Sequence, residues 1–249
     1  MEVKNILISQ PRPTTDKSPY FDLERRFGVT LTFKPFIKVE SLTPREFRQQ
    51  KISIPDYTAI VLTSRTACDK FFTLCQALRV TIPTTLLYFC LSETIALYLQ
   101  KYITYRKRKI HFAETGQLAD LADQMKKHPE LKYMMPVADV HKEDLTIFSR
   151  EKIQLTTAVM YRTVSSEMSP DEIRSYDMLV FFTPAGINSL FANDPDYKQG
   201  DQRIATFGPT TARTAEERGL RLDIKAPTQQ HPSMTAALQH YLMQQQDEA

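Results

Sequence analysis

Four times in this sequence a short apolar run gives way to a turn rich in Ser, Thr, Gly or Pro and then to a stretch of helical period. Ala59–Thr63 is followed by Ser64 and by Arg65–Leu78, where Ala67, Phe71, Phe72, Cys75 and Leu78 recur at helical spacing. Met178–Thr183 is followed by Pro184-Ala185-Gly186, and Arg203–Phe207 by Gly208-Pro209-Thr210-Thr211 and a helix over Pro209–Arg218. Thr85–Phe89 leads through Cys90-Leu91-Ser92-Glu93-Thr94 into a helix over Ser92–Tyr102. Asn5–Ser9 and Tyr133–Pro136 are further strand runs, and Ser233–Gln244 a further helix. Nearly continuous apolar strands are those covered on both faces, and strands alternating with helices imply parallel sheets and an α/β architecture.

Two segments break the alternation. Val29–Lys38 and Leu155–Ser165 are extended, β-rich and rather polar, and neither runs promptly into a strong helix. They read as a pair of crossings between two lobes. On that reading residues 1–36 plus 164–249 form a discontinuous first α/β lobe, and 37–163 form a second that includes the linker strands. A chain of 249 residues, 42% hydrophobic, has enough apolar surface for two modest cores.

Composition removes several function classes. With 32 basic and 29 acidic residues the net charge is only +3, too small to mark a nucleic-acid binder. Cys68, Cys75 and Cys90 are odd in number and lack CxxC spacing, which fits buried thiols in a reducing cytosol. The opening MEVKNILISQ has no signal-peptide pattern, and no apolar run approaches the ~20 residues that span a bilayer. The expectation is a cytoplasmic protein that neither crosses a membrane nor binds nucleic acid. The five histidines show no tight ligand spacing, so no metal site is expected. GxGxxG, GxxxxGK[ST] and GxSxG are all absent, which argues against a dinucleotide fold, a P-loop and a nucleophile elbow.

The hydroxyl-rich junctions carry the remaining chemistry. Each places side-chain hydroxyls and helix N-terminal N–H groups beyond the carboxyl end of a strand, where open α/β sheets bind ligands and helix dipoles favour anions. Capping alone explains any one of them, since Ser and Thr are good N-caps and Pro suits the first turn. Their recurrence points to a ligand bearing many carboxylates or phosphates. Tyr161, in Val159-Met160-Tyr161-Arg162-Thr163, is either an ordinary interface tyrosine or a phenol placed to give a proton to a leaving group. The run Tyr105-Arg106-Lys107-Arg108-Lys109 reads as solvated surface, with contact to an acidic ligand or nucleic acid as the alternative.

In order along nearly the whole chain, these pieces resemble the uroporphyrinogen-III synthase family. The segments that carry the resemblance are Ile6–Pro11, Asp56-Tyr57 through Ala67, Val159–Thr163, Phe181–Gly186, Ile204–Ala212 with its Gly-Pro-Thr-Thr-Ala, and Ala226-Pro227-Thr228. The resemblance implies two α/β lobes joined by a two-stranded linker, with the active site in the inter-lobe cleft. It also implies an enzyme with no metal or organic cofactor acting on hydroxymethylbilane, a linear tetrapyrrole with eight carboxylates; a monomer is expected. The implied reaction is a cyclising lyase step that inverts the terminal pyrrole. Tyr161 matches the family tyrosine thought to assist departure of the hydroxyl. Thr63, Ser64, Thr183, Ala185, Gly186, Thr210 and Thr211 form the implied substrate-binding set. The chain departs from the family at Ser92-Glu93-Thr94, where a glycine is missing and an acid is added. Glu93 would repel carboxylates unless it caps its own helix, and Arg65 or Arg106–Lys109 would have to compensate. The rival to an enzyme is a non-catalytic two-lobed protein of the same fold that binds an anionic ligand.

Overall fold

The computed structural model describes residues 2–140 and 144–247. These divide into two compact units, Met1–Lys38 with Val164–Ala249, and Val39–Thr163.

The chain opens in the first unit with β1 (Asn5–Ile8), α1 (Pro19–Phe27) and β2 (Thr30–Phe33). It then builds the second unit from β3 (Ile37–Ser41), α2 (Pro44–Gln49), β4 (Ala59–Leu62), α3 (Arg65–Leu78), β5 (Leu87–Cys90), α4 (Glu93–Tyr98), β6 (Ile110–Phe112), α5 (Leu118–Lys126), β7 (Tyr133–Ala138), α6 (Thr146–Arg150) and β8 (Leu155–Ser165). Back in the first unit come α7 (Pro170–Arg174), β9 (Met178–Phe181), α8 (Pro184–Asn193), β10 (Arg203–Phe207), α9 (Pro209–Glu217), β11 (Ile224–Ala226) and α10 (Met234–Asp247). The unit boundaries fall inside β3 and β8.

The first unit holds a five-stranded sheet in the order β11-β10-β9-β1-β2, with every pair parallel. The apolar runs explain its two-sided cover. Along β1 and β9 successive side chains alternate faces. Ile6, Ile8, Met178 and Val180 meet Leu23 of α1 and Leu238 of α10 on one face. Leu7, Leu179 and Phe181 meet Ile187 and Leu190 of α8 and Ala215 of α9 on the other. All seven strand residues are completely buried, and each contributes roughly 1.5–3 kcal/mol of transfer free energy.

The second unit holds a six-stranded sheet in the order β3-β8-β7-β4-β5-β6. The β4, β5, β6, β7 and β8 pairings are parallel. In β4, Ile60 and Leu62 face α3 and α4, whereas Ala59 and Val61 face Leu121 and Met125 of α5 and Phe148 of α6.

The structure corrects two of the readings made from the sequence. Val29–Lys38 is not one extended crossing. It divides into β2, paired with β1 in the first sheet, and β3, beside β8 in the second. Pro35 lies between them and has no N–H for a ladder. Phe36 turns into the first unit's core, where its carbonyl accepts hydrogen bonds from Ser166 N and from Ser189 Oγ. The helix read over Ser92–Tyr102 is shorter, with α4 ending at Tyr98 and a single 3₁₀ turn following over Leu99–Lys101.

Candidate active site

In the first unit β9 and β10 are parallel neighbours, with Thr206 level with Phe181. Two residues further on, Thr183 and Gly208 begin adjacent helices. α8 packs against α9, and Arg218 Nη2 donates to Asn188 Oδ1 at 2.9 Å between them. The fold therefore collects Thr183, Ala185, Gly186, Thr210 and Thr211 at the carboxyl edge of one sheet.

The two junctions are not equivalent. Thr183 is the N-cap of α8, and its Oγ1 accepts the Gly186 N–H at 3.2 Å. That N–H also points at the Thr183 carbonyl, at 3.0 Å, so its hydrogen-bonding capacity is used within the turn. Gly186 has a packing reason as well: a Cβ there would lie 3.2 Å from Cδ1 of the buried Phe181. The Thr183 hydroxyl accepts in the cap and keeps its own proton to donate.

At Gly208 no side chain caps α9. Pro209 occupies the first helical position and has no N–H. The first hydrogen bond back to the turn is Ala212 N to Gly208 O at 3.1 Å. The N–H groups of Thr210 and Thr211 are thus the open donors of the first turn. Thr210 is exposed and Thr211 is 1% exposed. This is the anion-accepting geometry that the other junctions have partly spent on capping.

In the second unit β4 and β5 are neighbours, and Leu91 N donates to Leu62 O at 2.9 Å. Thr63-Ser64 and Leu91-Ser92 therefore begin adjacent helices. Ser64 Oγ accepts Ala67 N at 3.0 Å and Ser92 Oγ accepts Ile95 N at 3.4 Å. Ser92, not Glu93, caps α4. Glu93 is at the first helical position, whereas the reciprocal cap needs an acid at the third, which is Ile95. Arg106–Lys109 cannot compensate for Glu93. They precede β6, at the amino edge of a parallel sheet, and Ser64 and Ser92 lie at the carboxyl edge. Arg65 lies in the first turn of α3 with its guanidinium 5.4 Å from the Tyr98 ring centroid.

Tyr161 has a local feature that strand alternation does not foretell. β8 runs level with β7 from Tyr133↔Leu155 to Val137↔Val159, and the next pair is Ala138↔Tyr161. The register gains one residue on β8, a bulge that re-aims the side chain following it. Met160 is completely buried and Tyr161 partly so, and both pack on the same core cluster. Adjacent residues of a regular strand would face opposite ways. Arg162 then pins this stretch. Its Nε and Nη2 reach Glu40 Oε1 at 3.0 and 2.9 Å, and its Nη1 reaches Glu46 Oε1 at 2.7 Å.

A family model described as Uroporphyrinogen-III synthase HemD matches residues 20–236. The chain belongs to the uroporphyrinogen-III synthase family. It is an enzyme whose function is uroporphyrinogen-III synthesis, a cyclising lyase reaction on a tetrapyrrole in porphyrin and heme biosynthesis. The crystal structure of uroporphyrinogen-III synthetase from Helicobacter pylori is 16% identical, covers 97% of this chain and 99% of its own, and has a TM-score of 0.55, so the fold is shared. A mutant uroporphyrinogen III synthase from Thermus thermophilus is 14% identical over 99% of this chain and 100% of its own, with a TM-score of 0.45. No curated protein matches the sequence. Among the described residues no helix is long and apolar enough to cross a membrane.

Proposed function

We propose that the substrate is hydroxymethylbilane and that the chain closes it with inversion of the terminal pyrrole, using Tyr161 as the acid. The observation that carries this reading is the bulge at Tyr161, which sets a phenol apart from the regular alternation of β8 in the stretch that resembles the family's catalytic strand. Tyr161 gives its proton to the terminal hydroxyl, which leaves as water and generates an azafulvene cation. The far pyrrole attacks through its substituted carbon, the resulting spiro intermediate opens, and the free carbon recloses the ring. The proton released at that closure restores the phenol, so the balance is one water lost.

The open donors of Thr210 and Thr211, with the hydroxyls of Thr63, Ser64 and Thr183 and the turn at Ala185-Gly186, hold acetate and propionate side chains. Their work is geometric. Uncatalysed closure gives the uninverted isomer, and fixing the reacting atoms in one arrangement is a recognised source of rate and selectivity. In this reading residues 1–36 with 164–249 and residues 37–163 act as the two lobes. The enzyme works as a cytoplasmic monomer, with no cofactor and no nucleic-acid partner.

The test generates hydroxymethylbilane in place, adds the protein, oxidises the products and separates the porphyrin isomers. Predominantly type III porphyrin supports the reading. Type I alone, from folded protein at high concentration, overturns it in favour of a non-catalytic anion binder.

A further inference from the structure

The basic run before β6 borders a pocket at the edge of the second sheet away from the hydroxyl-rich junctions. The pocket encloses about 290 Å³, near the lower end of ligand-site sizes. Phe72 of α3, Tyr88 of β5 and Tyr102 and Ile103 after α4 form its apolar wall, and Arg106 and Lys109 line it as well. Phe72 and Tyr102 stack with centroids 4.3 Å apart and planes 6° apart, and the Tyr88 ring lies 6.4 Å from Phe72 with its plane tilted by 26°. The wall is thus made of clustered aromatic rings, two of them parallel.

The rings are held from behind. Tyr102 Oη donates to Asp69, Tyr98 Oη donates to Asp69 Oδ1 at 2.8 Å, and Lys101 Nζ reaches the same oxygen at 3.0 Å. Lys101 balances the one acid in this cluster, so its charge does not oppose an anion in the pocket. Among the described residues Arg106 and Lys109 form no ion pair with any acid. A pocket lined by three aromatic side chains beside two unpaired cations suits a compact apolar body with one negative group.

We propose that this pocket is a second ligand site, for a compact aromatic carboxylate of one or two rings. The ring system lies against Phe72, Tyr88 and Tyr102, and the carboxylate meets Arg106 and Lys109. The site is distinct from the one assigned to Tyr161, because Tyr88 and Ile110 in its lining stand at the amino ends of β5 and β6, whereas the hydroxyl-rich junctions stand at the carboxyl ends.

The experiment titrates the full chain with 2-naphthoate and follows backbone amide resonances and binding heat. The expected result is saturable one-to-one binding with shifts centred on residues 82–88 and 102–110. The uncharged 2-naphthamide, and the double substitution Arg106→Ala with Lys109→Ala at the pocket rim, each weaken binding about tenfold or more. Ile103→Trp, which fills the pocket, removes it. No saturation by about 5 mM ligand, or unchanged affinity in either variant, overturns the proposal.

Discussion

The N–H of Gly208 donates to the carbonyl of Ala226 at 2.6 Å, which ties the start of α9 to the end of β11. Gly208 makes this contact at φ +91°, a conformation that L side chains rarely adopt. A methyl group there would meet open space, so the obstacle is the backbone and not crowding. The glycine in Gly-Pro-Thr-Thr thus allows the helix to begin without a side-chain cap, leaving the N–H groups of Thr210 and Thr211 for a ligand.

Gly208→Ala is therefore expected to cost about 1–3 kcal/mol of stability from backbone strain. It should also raise KM, because the first turn of α9 shifts. Thermal unfolding together with steady-state kinetics checks both effects.

Thr183 and Thr211 should separate capping from binding. Thr183→Ala removes the acceptor for Gly186 N–H and should lower stability by about 1 kcal/mol. Thr211→Val exchanges the hydroxyl of a residue that is 1% exposed for a methyl group of similar shape and leaves every hydrogen bond of the α8 cap in place, so it should cost less stability than Thr183→Ala. Its KM should increase, because the proposed function gives this hydroxyl to a substrate carboxylate. Denaturant melts and KM for the two variants, measured side by side, decide this.

The carboxyl of Glu46 is held at about 2, first by the hydroxyl and N–H of Thr43 and then by Arg162. A depressed carboxyl stabilises the fold above its unfolded value, near 4.5, and that contribution fades as pH falls from about 4.5 to about 2. Glu46→Gln should flatten the acid limb of the stability curve across this window and leave its shape near neutrality unchanged. Unfolding midpoints from pH 2 to 7 provide the check.

Cys68, Cys75 and Cys90 are buried free thiols. Burial pushes Cys68 and Cys75 up to about 12 and raises Cys90 as well. Native protein at about pH 8 should resist a disulfide exchange reagent, with all three thiols reacting once the chain is unfolded. Rapid reaction of the native protein would contradict this burial.

Much of this arrangement was readable because it rests on local pattern. Arg65–Leu78 is a helix over the span its apolar spacing marks, and Leu155–Ser165 is a single strand. The hydroxyls of Ser64 and Thr183 sit where strand-to-helix junctions put them. What was hidden depends on partners distant in sequence. β6 and β11 have three residues each, too few to show a period, and are strands because β5 and β10 pair with them. The split of Val29–Lys38 depends on Phe36 finding the first unit's core. The bulge at Tyr161 exists only as a register between β7 and β8, which no property of β8 alone records. Glu93 looked like a cap because Ser92 and Glu93 both suit a helix start, and the hydrogen bond to Ile95 shows which one serves.

The most direct test of the role given to Tyr161 is single-turnover kinetics of Tyr161→Phe on hydroxymethylbilane. If the phenol supplies the leaving-group proton, the variant should fold normally and still give the type III isomer, but closure should slow about 10²-fold or more. Closure at the wild-type rate would contradict the role assigned to Tyr161.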